Sequence, residues 1–348
     1  MAQKVPTLQV LVDGADEGEA VAFSSTREDQ SFHSASIGKV LCATCVMMAV
    51  DEKKVTLRTP IKDILNPEFI VGLFIYKGVD YKDEVTLEHL LGHTSGVNDY
   101  FEGRTLNNEP FLDTVFGDPT HLFTPRELVD FTRRNQEAVG RPGQVFLYSD
   151  TGYVLLGFVL ETLYGKPYAD VLKEKIYRPS GMKATALCFH DETFDQKKLA
   201  PLYFGGREMS QAKSLSCDYS GGGLQTTAKD LARFLHALFG GLLIKEESLN
   251  IMMTPRHRFH GIMRYGLGMI EVKLHRVIPW KIGYPPLYGG LGSLSVHAFY
   301  DPEHKTAYII NLGDASKMRQ SFMVLSKLMT FMKKDRSHVE STDQPYKP

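Results

Sequence analysis

Two residues in the stretch Phe32-His33-Ser34-Ala35-Ser36-Ile37-Gly38-Lys39 have the types and spacing to do chemistry: Ser36 and Lys39. They are three apart, so on a helix they share one face and set an amine beside a hydroxyl. A serine hydroxyl is a weak nucleophile until a neighbour activates it. Outward-pointing N–H groups at a helix N-terminus favour the negative charge that then develops. The Ser-x-x-Lys spacing occurs three times, at Ser36/Lys39, Ser180/Lys183 and Ser210/Lys213. Ser180 lies between Pro179 and Gly181 and reads as a turn, and Ser210 sits in a polar stretch after Gly205-Gly206. Ser36 alone opens onto a long apolar run, Val40 to Val50, and that context selects it.

Two other segments carry chemical side chains. Tyr148-Ser149-Asp150 forms a polar loop leading into an apolar helix, where Tyr148 presents a phenol or is a half-buried aromatic with a satisfied hydroxyl. Tyr288-Gly289-Gly290-Leu291-Gly292 is glycine-rich beside predicted strands, which suits close approach of a ligand or a hairpin turn. Gly92-His93-Thr94-Ser95-Gly96 lacks the spacing of a Gly-x-Ser-x-Gly elbow, and no such elbow occurs in the chain, which counts against an α/β-hydrolase. His257-x-x-His260 has no convincing third ligand, so no metal site is expected. Cys42 and Cys45 form a C-x-x-C inside the apolar run, where cysteine acts as a small hydrophobe rather than a redox pair.

The elements that must position these residues follow from periodicity and capping. Strands are expected at Leu8–Val12 and Ala20–Phe23, then the Ser36 helix ending near Asp51-Glu52-Lys53-Lys54. Helices follow from Thr86 to Gly92, from the Thr124-Pro125-Arg126-Glu127 capping box to Asn135, from Thr151 to Gly165, and from Tyr168 to Arg178-Pro179. Gly221-Gly222-Gly223 reads as a turn or a close approach, and Thr227 caps a helix to Phe239. Strands return at 265–272, 286–290, 294–300 and 307–312, and an amphipathic helix covers Ser316 to Lys333. With strands at both ends and helices between, the simplest architecture pairs the first strands with the last in one antiparallel sheet. Residues 1–55 and 205–335 then form an α/β lobe, residues 56–204 an inserted helical lobe, and residues 336–348 a polar tail.

Bulk properties narrow the function. The 348 residues suffice for a large core, and 40 basic against 41 acidic side chains imply no nucleic-acid partner. No apolar run approaches a membrane span. The first residues lack the apolar segment of a signal peptide, so the expectation is a cytoplasmic location or a leader already removed. Oligomeric state is not legible.

In this order, the segments resemble the serine β-lactamase-like superfamily, in the branch of class C β-lactamases, D-alanyl-D-alanine carboxypeptidases and family VIII carboxylesterases. The likeness covers about residues 28–330. It includes Leu90-Leu91-Gly92-His93-Thr94-Ser95-Gly96, Arg178-Pro179-Ser180-Gly181-Met182, Gly222-Gly223-Leu224-Gln225-Thr226-Thr227 and Tyr300-Asp301-Pro302-Glu303. It implies an α+β, transpeptidase-like fold and acyl-enzyme chemistry without a cofactor on a small ester or amide. By the same resemblance, Ser36 is the nucleophile, Lys39 its partner and Tyr148 the tyrosine of a Tyr-x-Asn motif whose amide is here Asp150. Tyr288-Gly289-Gly290 matches the Lys-Thr-Gly element, and the N–H groups of Ser36 and Leu291 match the oxyanion hole.

Both departures bear on substrate. A cation at the Lys-Thr-Gly element helps to bind the carboxylate of lactams and D-alanyl peptides. Tyr288 carries no charge near neutral pH, and Asp150 would repel an anion nearby. The expectation is a carboxylesterase on small neutral esters. A D-alanyl-D-alanine carboxypeptidase or weak β-lactamase, and a non-catalytic protein of the same fold, are the alternatives. Burial is expected to lower the lysine pKa, letting Tyr148 and Lys39 share the Ser36 proton.

Overall fold

The computed structural model describes residues 7–15, 18–27, 30–276 and 282–342; the parts of the N-terminus, acidic loop and polar tail at 1–6, 16–17 and 343–348 lie outside them. Strands β1 (Gln9–Gly14), β2 (Gly18–Ser24), β3 (His257–Phe259), β4 (Met263–Tyr265), β5 (Ile270–Val272), β6 (Leu287–Gly292), β7 (Val296–Asp301) and β8 (Thr306–Asn311) build the main sheet. Their order is β3-β4-β5-β6-β7-β8-β1-β2, with antiparallel neighbours throughout. The first strand joins the last as expected, in register from Gln9↔Asn311 to Gly14↔Thr306. The strand expected over 265–272 is two strands, because Gly268 turns the chain at φ +72° between Tyr265 and Ile270.

Alternation along the strands gives the sheet two apolar faces. Leu11, Ala298, Ala307 and Ile309 join the core that holds helices α1 (Gly38–Asp51) and α6 (Ala228–Phe239). Val10, Val12, Phe299, Tyr308 and Ile310 face the other way and meet Leu325, Met329 and Met332 of α7 (Met318–Thr342). Full burial of such a side chain contributes about 1.5–3 kcal/mol. Helix α7 continues past Asp335, where only a polar tail is expected.

The middle of the chain supplies α2 (Leu87–Leu91), α3 (Pro125–Asn135), α4 (Asp150–Tyr164) and α5 (Tyr168–Leu172). The expected caps are present: Thr86 and Thr124 close capping boxes, and Gly165 ends α4 at φ +64°. The helix expected to stop at Arg178-Pro179 runs on. A π turn over Lys173–Tyr177 leads into a last turn, Arg178–Ser180, closed by Gly181. The wider turn accommodates a proline that lacks an N–H.

Helix α1 is enclosed on every side, with Leu41, Cys42, Ala43, Cys45, Val46 and Met47 at 0% exposure. That is why its sequence is a continuous apolar run rather than a stripe. Cys42 and Cys45 are unbonded and buried in it, with burial pushing both thiols up. No helix among the described residues is long and apolar enough to cross a membrane.

Candidate active site

Ser36 sits at the mouth of α1 in a 3-10 turn, Ala35–Ile37. Ala35 takes φ +46°, a left-handed conformation costly for a residue with a Cβ. Contacts on both sides hold that turn. Phe32 and His33 pair with Thr226 and Gln225, the Ser34 N–H donates to the Leu224 carbonyl at 2.8 Å, and the Leu224 N–H donates to Ser34 Oγ at 3.3 Å. Gly38 and Gly222 let two backbones touch: a Cβ on Gly38 would lie 2.4 Å from the Gly222 carbonyl oxygen. A Cβ on Gly222 would lie 2.7 Å from the Ala35 carbonyl oxygen.

Lys39 is 2% exposed, yet its ammonium is fully bonded. Nζ donates to Ser36 Oγ at 3.2 Å, to the Gly221 carbonyl at 2.6 Å and to Asp150 Oδ1. Three N–H donors meet three acceptors, which leaves no lone pair to act as a base. Burial opposes the charge, but Asp150 and then Tyr148 outweigh it and hold Lys39 above its ordinary pKa. This corrects the expectation that burial lowers the lysine. The substitution that makes Tyr-x-Asn into Tyr-x-Asp supplies a counter-ion. Asp150 is therefore the buried partner of Lys39 rather than a group facing substrate.

Tyr148 lies over this pair, with Lys39 Nζ 4.8 Å from its ring centroid. Burial pushes its phenol up to about 12, against the pull of the Lys39 charge. The loop carrying Tyr148 and Asp150 is held by the 93–100 segment. Leu147 N–H donates to the His93 carbonyl at 2.9 Å, and Ser149 N–H donates to His93 Nδ1 at 3.0 Å. Asp150 N–H donates to Asp99 Oδ1 at 2.8 Å, and Ser149 caps α4 by accepting from Gly152 N–H. The His93 ring lies 4.3 Å from that of Tyr148, and burial, then the Lys39 charge, keeps it neutral. Sequence reading placed His93 in a family segment without a role. A buried histidine at φ +57° becomes visible as a brace only in three dimensions.

On the opposite side, β6 closes against the nucleophile turn. Gly290 allows it, since a Cβ there would lie 2.9 Å from Val40 Cγ2 and 3.3 Å from Ile37 Cα. Gly289 has its own close contact, with the Ala298 carbonyl at 2.0 Å from a built Cβ. Strand β5 pairs only as far as Gly289, so Leu291 lies past its end, on the stretch of β6 that passes Ser34 and Ala35. Tyr288 is half-buried and turns its hydroxyl to Glu271 Oε1 at 3.5 Å. Glu271 is in turn paired with Lys273 at 2.9 Å and Arg276 at 3.3 Å.

The structure thus brings Ser36, Lys39, Tyr148 and Asp150 into one cluster with the Tyr288–Leu291 strand beside it. Such a cluster can activate a hydroxyl and carry an acyl group. His257 stacks on Phe146 at 4.9 Å instead of ligating, and no group of three or more His, Cys, Asp or Glu among the described residues is placed to hold a metal.

The sequence profile of the family described as Beta-lactamase matches residues 3–319. The chain belongs to the beta-lactamase family. Penicillin-binding protein 4 of Amycolatopsis lactamdurans is 32% identical over 190 residues, 50% of this chain and 42% of the relative. The chain spans about half the length of the curated relatives it matches. The structure of D-amino acid amidase from Ochrobactrum anthropi SV3 superposes with a TM-score of 0.72 at 25% identity, over 90% of each chain. EstCE1, a hydrolase with promiscuous acyltransferase activity, shares the fold at a TM-score of 0.69 and 19% identity, over 89% of each chain.

Proposed function

We propose that the protein is a serine hydrolase that works through an acyl-enzyme on Ser36 and acts as a carboxylesterase on small uncharged esters. The observation that carries this reading is the neutralised cation at the nucleophile. Lys39 is paired with Asp150, and Tyr288, which the resemblance matches to the family's cationic element, turns its hydroxyl to Glu271. Lys273 and Arg276, beyond Tyr288, are engaged by Glu271. Among the described residues, a substrate carboxylate, which lactams and D-alanyl peptides carry, finds no uncommitted positive charge there.

The proton path follows the contacts. Lys39 first gives a proton to Asp150, and the lone pair this frees takes the Ser36 proton as Oγ bonds to the ester carbonyl carbon. The backbone N–H groups of Ser36 and Leu291 bind the oxyanion. The C–O bond to the alcohol breaks and the alkoxide takes the proton of Tyr148, a phenol fully protonated at neutral pH. Tyr148 is reprotonated through Lys39 from Asp150. Water then attacks the acyl carbon, the Oγ–C bond breaks, and Ser36 regains a proton.

The test is hydrolysis of p-nitrophenyl butyrate beside a chromogenic cephalosporin and a D-alanyl-D-alanine peptide, with Ser36→Ala as control. Ester turnover that the control loses by at least about a thousandfold is expected. Faster turnover of the lactam or peptide than of the ester overturns the substrate assignment. No turnover and no acyl adduct by mass spectrometry moves the chain to a non-catalytic role.

A further inference from the structure

One buried polar group near the nucleophile turn takes no part in the proton path. His33, three positions before Ser36, is 3% exposed, and its Nδ1 accepts the Ala35 N–H at 3.2 Å. Burial pulls the ring down to about 4, so it is neutral and carries its proton on Nε2. That Nε2 finds no hydrogen-bond partner among the described residues and stops 3.9 Å from Asp218 Oδ2. A donor and an acceptor that far apart are not bonded to each other.

Both side chains line a narrow apolar pocket beside the nucleophile turn, walled by Phe101, Leu112, Phe116, Phe204, Met209 and Leu294, with Ala35 in its lining. Asp218 keeps 17% of its side chain exposed and His33 only 2%, so the carboxyl is the reachable member of the pair. A Cβ on Gly222 would lie 2.7 Å from Asp218 Oδ2 and 2.7 Å from the Ala35 carbonyl, so a glycine is what lets the carboxyl reach this position. Burial raises the Asp218 pKa above its ordinary value, against the Lys39 charge and the Gly223 N–H. One oxygen atom about 2.8 Å from each group, with an angle of about 90° between its two bonds, would span the gap between Nε2 and Oδ2.

We propose that this pocket takes the acyl part of the substrate and that a hydroxyl on that part bridges His33 and Asp218, accepting from Nε2–H and donating to Oδ2. The preferred substrates are then esters of short hydroxy acids. This rests on the acyl-enzyme reading above and narrows its small uncharged esters by their acyl part. A hydroxyl carries a lone pair and a proton on one atom, which is what the two ends of the bridge require. It donates to a carboxylate and to the carbonyl oxygen of a protonated acid alike, so the fit does not depend on the charge of Asp218. A keto oxygen answers the N–H but has nothing to donate to Oδ2. A saturated acyl chain matches the pocket walls but leaves the His33 N–H buried and unpaired, which costs free energy.

The test compares methyl 2- and 3-hydroxybutanoate, each enantiomer, with methyl 2- and 3-methylbutanoate, which put a methyl group in place of the hydroxyl. Each rate is divided by that of hydroxide-catalysed hydrolysis to remove the hydroxyl's own effect on reactivity. At least one hydroxy ester is expected to be preferred in kcat/KM by at least about tenfold, the worth of pairing a buried donor that is otherwise left unpaired. His33→Asn should bring that ratio close to one, because the amide oxygen can still accept the Ala35 N–H while no donor remains in the place of Nε2. Because a buried substitution can impair folding, a second readout uses Ser36→Ala and calorimetry. There at least one hydroxybutanamide should bind at least about tenfold more tightly than its methyl counterpart. Equal kcat/KM within every pair, equal affinities within every pair, or a preference that His33→Asn keeps, each overturns the inference, while p-nitrophenyl butyrate turnover keeps the esterase reading. Absence of any acyl adduct on Ser36 from all of these esters overturns both.

Discussion

The Ser36–Lys39 cluster and the pocket beside it meet at Ala35 but differ in what surrounds them. Each N–H of Lys39 has an acceptor, and the loop that carries Asp150 is bonded down through Ser149, Asp150 and His93, although the buried His93 Nε2 lacks a partner. In the pocket the walls are rings and aliphatic chains, and a buried N–H lacks a partner. A satisfied polar network holds atoms in one arrangement, which a reacting centre requires. An unsatisfied donor beside a carboxylate is costly to keep unless something else completes it, which is what a binding site provides.

The largest effect should come from breaking the cluster at its counter-ion. Asp150→Asn keeps the shape but removes the charge that holds Lys39 up. Lys39 then falls toward the range in which it must lose a proton before the reaction can start. Activity at pH 6 should drop by about a hundredfold or more and recover in part as pH rises toward 9, whereas the wild type shows no such rise. A variant with an unchanged pH–rate profile removes the Ser36–Lys39–Asp150 proton path.

Gly222→Ala strikes the seam between the two regions. Its methyl would meet the Ala35 carbonyl and Asp218 Oδ2 at 2.7 Å each, so the nucleophile turn must move. A displacement near 1 Å costs on the order of a hundredfold in kcat/KM. A wild-type rate would show that the turn is more pliant than its φ values suggest.

His93→Ala sharpens the comparison from the cluster side. It leaves Ser149 N–H without its acceptor and takes the ring away from Tyr148, while the pocket is untouched. The expected result is a fall in kcat of about tenfold with KM nearly constant, since positioning rather than binding is lost. A change confined to KM would assign His93 to substrate contact instead.

The smallest effect is on selectivity. Phe116→Ala removes a ring that stacks on Phe204 at 5.6 Å and opens the pocket. The ratio of kcat/KM for a hexanoyl over an acetyl ester should rise by about tenfold, the worth of one or two methylenes in an apolar pocket. If the ratio stays put, acyl groups bind elsewhere.

The sequence by itself determined most of the elements and singled out Ser36 and Lys39 as a pair. Capping residues wrote the starts of α2, α3 and α6, the apolar run wrote α1, and the doorstep at Ser36 distinguished one Ser-x-x-Lys from the two others. These signals are legible because each depends on residues a few positions apart, within one turn of helix. It also placed the strands at the two ends of the chain, whose pairing closes the sheet.

Tertiary structure alone decided the charge state of the site and the character of the pocket. Asp150 reads in sequence as a group that faces substrate. It is 111 positions from Lys39, and only their contact turns it into the counter-ion that reverses the expected fall of the lysine pKa. His93, His33 and Asp218 carried no local pattern that would mark them. Their roles arise from an acceptor offered across 56 positions to Ser149 and from the approach of the 217–223 segment to the nucleophile turn. Burial and through-space charge set these properties, and both depend on distances that chain order does not contain.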